Sequence, residues 1–179
     1  MRGFLCFFVL VLFMLPASAG GSDIDRLFQT LKTAGSSEEA HPIEEQILTR
    51  FRQSGSPSVD LLMNRADVAF EAGDKASAVK LLTTINGLDP NFAEGWHVRA
   101  LLQANDGDDK GAMDSLQKVV RLNGRHFAAM VRLGDLLQEY GDKDGALKLF
   151  RRALAIDPQF EGLKRRVEAL SRSVEGQGI

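Results

Sequence analysis

Apolar residues recur in two patterns along this chain. Phe4 to Leu15 is an unbroken apolar run behind the positive start Met1-Arg2-Gly3. From Ile24 onward, apolar residues return at intervals of three and four with polar residues between them, the signature of amphipathic helices with one buried face. The spacing predicts a short helix through Ile24, Leu27, Phe28 and Leu31, and a second through Ile43, Ile47, Leu48 and Phe51. Gly35-Ser36-Ser37 separates the two, and Pro42 is expected to delay or kink the second. Ser54-Gly55-Ser56-Pro57 reads as a linker. Six longer helical segments follow, Val59 to Ala72, Ala76 to Leu88, Ala93 to Asp106, Gly111 to Leu122, Phe127 to Tyr140 and Gly145 to Ile156.

These six segments form three copies of one unit. Asp89-Pro90, Asn123-Gly124 and Asp157-Pro158 are spaced by 34 residues, as are Gly73-Asp74, Gly107-Asp108 and Gly141-Asp142, and Ala78, Ala112 and Ala146. The glycine ends the first helix of each unit in a left-handed conformation, and the aspartate after it accepts orphan N–H groups of the second helix. Proline at the boundary cannot extend the second helix but can open the next. Small residues let the paired helices approach, with Ala66, Ala100 and Gly134 facing Ala78, Ala112 and Ala146. Leu62, Trp96 and Met130, and then Leu82, Leu116 and Phe150, fill the larger contact layers. After Pro158, the residues Phe160, Leu163, Val167 and Leu170 form the apolar face of a further helix.

Leu133-Gly134, Gly141, Ala146, Phe150, Ala153 and Pro158 in the third unit, and Trp96 in the second, resemble the tetratricopeptide repeat (TPR) pattern. The departures are Arg65 and Arg99, where leucine is usual, and Gly124, where proline is usual. The resemblance implies an all-α fold, an α-α superhelix of helical hairpins. The expected organisation is a signal peptide over 1–19, a helical pair and linker over 20–56, three TPR units over 59–92, 93–126 and 127–160, and a capping helix and tail over 161–179. A stacked array has apolar ends, so the upstream pair is expected to seal one and the last helix the other.

The apolar run spans roughly 18 Å as a helix at 1.5 Å per residue, short of the roughly 30 Å bilayer core. Ala17-Ser18-Ala19 has the small-x-small form of a cleavage site, so a cleaved secretory signal and a periplasmic or secreted location are expected, without a stable membrane anchor. The only cysteine, Cys6, lies inside that run, which leaves the mature chain without a thiol. Lys+Arg count 22 against Asp+Glu 24, a formal charge of -2 that lacks the basic excess of a nucleic-acid surface.

Candidate chemistry is sparse. His41, His97 and His126 have no second histidine at helical ligand spacing, so solvent-facing or capping roles are expected and no metal ligand set. Asn105 to Lys110 is a turn and not a calcium loop, because Lys110 takes a ligand position and Gln117 stands where a bidentate Glu is needed. No G-x-S-x-G elbow or phosphate-cradling glycine loop is present, so the expectation is a non-enzyme without a cofactor.

The resemblance implies that the first helix of each unit lines a concave groove for a peptide or helix. The groove residues expected to be exposed are Asp60, Met63, Asn64, Asp67, Phe70, Glu94, His97, Leu101, Val131, Arg132, Asp135 and Gln138, with Val98, Asn105 and Glu139 beside them. Some members of the family clamp a partner's terminal carboxylate with Lys, Asn and Arg. Here only Arg132 matches, while Met63, Asp67, Val98 and Ala128 occupy the other clamp positions. Carboxylates outnumber cations along the groove, which suits a basic segment with apolar anchors. The expected function is an exported adaptor or scaffold that binds protein. The alternatives are a self-associating structural protein or a chaperone-like subunit of cell-envelope machinery.

Overall fold

Asp74, Asp108 and Asp142 decide where the second helix of each unit begins. Their side chains accept the amide N–H of Ser77, Gly111 and Gly145 at 3.1, 3.0 and 2.8 Å. The preceding Gly73, Gly107 and Gly141 sit at φ of 74°, 75° and 88°, a region where a Cβ is strained. Each Gly-Asp pair thus turns the chain through a hairpin, as the sequence predicts.

The computed structural model describes residues 23–176, so the expected signal peptide lies outside the described residues. Those residues form helices only: α1 (Asp23–Thr33), α2 (Ser37–Phe51), α3 (Pro57–Glu71), α4 (Lys75–Leu88), α5 (Ala93–Asn105), α6 (Asp109–Leu122), α7 (Phe127–Glu139), α8 (Lys143–Ile156) and α9 (Leu163–Glu175). None is long and apolar enough to cross a membrane. The hairpins are α3/α4, α5/α6 and α7/α8, stacked in order, with α9 against α8. Leu163 and Leu170 of α9 are buried, as its predicted apolar face requires.

Close approach within each hairpin depends on the small-residue layer. Ala66, Ala100, Ala78, Ala112 and Ala146 are all buried, and Gly134 lies directly against the Phe150 ring. Trp96 is only half-buried; its Nε1–H donates to the Pro90 carbonyl at 3.0 Å.

The N-terminal pair departs from expectation in two ways. Pro42 does not delay α2, which starts at Ser37 under the Ser36 cap and runs through it. More consequentially, the pair does not seal the free end of the first unit. It lies along the edge where the later units join, with Leu31, Ala40 and Ile47 in one core cluster with Phe127, Val131 and Leu147. Arg125 reaches Asp25 at 2.6 Å and stacks over Phe28, and Gln159 donates to the Ala34 carbonyl at 3.2 Å. Val59, Met63, Leu82 and Ile85 of the first unit, with Leu102 of α5, form a separate cluster. Among the described residues nothing covers the outward face of α3, where Leu61 is 52% and Val68 65% exposed.

Candidate functional site

The first helices α3, α5 and α7 carry the expected groove, and α2 decides how much of it is open. At the α2 terminus the Phe51 ring rests 4.9 Å from the His126 ring, and Arg52 forms an ion pair with Asp67 and stands 3.6 Å from Glu94 Oε1. Four residues expected in the exposed groove are buried instead: Met63, Glu94, His97 and Val131, as is Val98 beside them. Val131 packs with the N-terminal pair and Met63 and Val98 pack where the first unit meets α5, while Glu94 and His97 are closed off against His126, beside Phe51 and Arg52.

The expected acidic surplus is also answered within the chain. Asp67 pairs with Arg52, Asp135 pairs with Arg166 of α9, and Asp60 accepts the Ser54 N–H and hydroxyl at 2.8 and 2.6 Å. Asp60 consequently fixes the linker into α3. Asn64, Arg132 and Gln138 are exposed, while Phe70 and Leu101 are half-buried.

An open cleft of about 490 Å³ remains between α5 and α7. Phe70, Ala100, Leu101, Leu116 and Leu136 give it an apolar floor, and Asn105, Arg132, Asp135 and Glu139 supply polar groups. Of the expected groove residues, the structure brings together Phe70, Leu101, Arg132 and Asp135 there. Asn64 and Gln138 are not among its lining residues. The arrangement can bury one or two apolar side chains of a visiting segment and orient it through its charges.

A second cluster lies under the edge covered by α2. His97 Nδ1 is 3.1 Å from Glu94 Oε1, and His126 Nε2 is 3.2 Å from Glu94 Oε2. All three residues are buried, and their potential ligand atoms lie within 4.8 Å of one another. His126 is the N-cap of α7; its Nδ1 accepts the Ala129 N–H at 3.2 Å, which leaves the ring proton on Nε2 to donate to Glu94. Burial opposes charge on Glu94, but the hydrogen bonds from His126 and His97 outweigh it and hold the carboxyl at about 2. Burial holds the His126 imidazole below its ordinary range despite the Glu94 hydrogen bond.

The expectation that the histidines face solvent or cap helices therefore holds only in part. His126 is a cap, though a buried one; His97 is buried; His41 is exposed on α2, 3.5 Å from Glu44. Spacing along a single helix could not reveal the cluster, because His126 lies at the far end of the same unit, at the N-cap of α7. The repeat register could have done so, since His126 occupies the position of Phe92 and Phe160.

Comparison with known proteins gives this architecture a family. A family model described as Tetratricopeptide repeat matches residues 127–160. A TPR repeat-containing protein of Rhizobium etli is 30% identical over 153 residues, covering 86% of this chain and 75% of the relative. The chain belongs to the tetratricopeptide repeat family. Cellulose synthase 2 operon protein C of Komagataeibacter xylinus is 30% identical over 142 residues, 78% of this chain but 11% of that protein. Among solved structures, MamA has a TM-score of 0.58 at 20% identity, covering 79% of each chain. The first TPR of Spaghetti, bound to the HSP90 peptide SRMEEVD, has a TM-score of 0.59 at 19% identity and covers 65% of this chain and 93% of its own. These two likenesses establish the shared fold.

Proposed function

We propose that the chain is an exported, non-catalytic adaptor in the periplasm or outside the cell, holding a segment of another protein in the cleft between α5 and α7. The observation that carries this reading is the apolar floor of Phe70, Leu101 and Leu136 left open on the wall of first helices. Peptide-bound domains of the same fold, such as the Spaghetti domain with its HSP90 peptide, support it. The preferred segment has an apolar anchor flanked by Lys or Arg. Arg52 already illustrates the pairing of a guanidinium with the wall's carboxylates, and Glu139 at the cleft offers a partner's cation a similar contact. The Met1-Arg2-Gly3 start, the apolar run and Ala17-Ser18-Ala19 support export.

Photo-crosslinking in intact cells tests the binding reading. A photoreactive residue at Leu101 should give partner adducts that Leu136→Asp abolishes, whereas one at Lys148 on the outer face should give none. Equal adducts from both positions, or none from Leu101, refute it. Adducts formed only with a second copy of the chain would favour self-association, to which the uncovered Leu61 and Val68 lend support. Export predicts a mature chain whose mass corresponds to a start at Gly20.

A further inference from the structure

The middle unit differs from its neighbours at three positions that converge. His97 stands where the adjacent units have Met63 and Val131, His126 where they have Phe92 and Phe160, and Glu94 where they have Asp60 and Ala128. Met63, Val131 and Phe92 are buried, so packing at these positions is satisfied by apolar side chains. Two imidazoles and a carboxylate in those places need another explanation, and their geometry supplies one.

Glu94 and His97 are three residues apart on one face of α5, which brings His97 Nδ1 to 3.1 Å from the carboxylate. The same Glu-x-x-His spacing places carboxylate and imidazole ligands together inside helical bundles. His126 closes the group from the start of α7 with Nε2 3.2 Å from the other carboxylate oxygen. Two nitrogens and one oxygen, with no thiolate, suit a divalent ion of borderline softness. We propose that Glu94, His97 and His126 form a zinc site, with three protein ligands and one coordination position left for water or a ligand atom from a partner.

Zinc binds neutral imidazoles and an ionised carboxylate, and two imidazoles and one carboxylate already meet here with their nitrogen and oxygen atoms in reach of one another. Coordination through His126 Nε2 moves the ring proton to Nδ1 and gives up the hydrogen bond from Ala129. That loss is tolerable, because α5 begins at the equivalent Phe92 with no side-chain cap. The Arg52 guanidinium, 3.6 Å from Glu94, opposes the incoming cation, and its pairing with Asp67 gives it an alternative partner.

The test uses the full chain after treatment with EDTA, titrated with ZnCl2 by calorimetry and melted with and without ZnCl2. One zinc per chain is expected at micromolar or tighter affinity. At free zinc about 100 times the dissociation constant, the folding equilibrium should shift about a hundredfold. The double variant His97→Met, His126→Phe carries the residues of the neighbouring units; it should fold and lose both responses. If it does not fold, His97→Met alone should weaken binding at least tenfold, and His41→Ala should leave it unchanged. Absence of binding heat with an unmoved melt in the parent chain, or equal zinc affinity in the His97 variants, overturns the proposal and leaves the imidazoles as hydrogen-bond donors to Glu94.

Discussion

Gly134→Ala tests whether the small-residue layer sets the distance between paired helices. Gly134 lies inside α7, where replacing glycine with alanine ordinarily stabilises a helix by about 1 kcal/mol. Here an added Cβ would stand 2.8 Å from Phe150 Cδ1 and nearer still to Cε1, against a ring that is fully buried. Overpacking a closed core costs about 1–3 kcal/mol, so the clash should exceed the propensity gain and leave a net loss of about 1 kcal/mol. The other units show the remedy, since Ala66 and Ala100 occupy the equivalent position and face Leu82 and Leu116 where Phe150 stands. Phe150→Leu alone should open a cavity and cost about 1–2 kcal/mol. Combined with Gly134→Ala it should recover part of the loss, with a coupling of about 1–2 kcal/mol in a double-mutant cycle. Urea unfolding followed by circular dichroism measures all four corners. A stabilising Gly134→Ala, or two changes that simply add, would refute the reasoning.

Two further predictions concern pH and backbone conformation. Asp157 is fully buried; its Oδ1 accepts the Gln159 N–H at 3.1 Å, while Oδ2 has no donor among the described residues. It faces Glu44 of α2, which burial, interaction with Asp157 and the charges of Glu161 and Glu45 push up to about 7; burial also raises Asp157. The folded state thus holds more protons than the unfolded one between roughly pH 4.5 and 7, so the stability from this pair is complete below that window and lost as pH rises through it. Asp157→Asn, the side-chain type already present at Asn123, offers Glu44 a donor and should stabilise by about 1 kcal/mol at pH 8 with little gain at pH 4.5. Thermal melts across pH check this; an equal shift at both values contradicts it. Gly87→Ala, inside α4 with open space around it, should stabilise by about 0.5–1 kcal/mol, whereas Gly107→Ala at φ 75° should destabilise by about 1 kcal/mol, both read from melting temperature.

Local signals governed the units. A Gly-Asp turn and a capping side chain act within four residues of their partners, and their recurrence every 34 residues places the six helices of the units to within two residues of the observed ends. The groove was less legible because its exposure depends on contacts made far along the chain. Arg52 cancels Asp67 from 15 residues away and Arg166 meets Asp135 from 31, so a census of charges along the first helices cannot see that these two carboxylates are already paired. Nor does amphipathic spacing reveal that the N-terminal pair crosses to the later units, since its apolar face would be equally satisfied at either end of the array.

The departures from the repeat are informative because the repeat supplies its own reference. At a buried position where two units use Met63 and Val131, His97 brings a desolvation cost that its neighbours avoid; the same holds for His126 against Phe92 and Phe160. Hydrogen bonds to Glu94 offset that cost, but Glu94 is itself a buried charge whose counterparts, Asp60 and Ala128, escape full burial. An alternative explanation is that the trio merely satisfies itself, each polar group present to serve another. The two explanations diverge when both imidazoles become the neighbours' Met and Phe. Under the self-contained account, Glu94 is left with Arg52 alone and the chain loses stability whether or not zinc is present. A site selected for metal loses, in addition, a zinc-dependent increment that the parent chain displays, and that increment separates ligand binding from internal compensation.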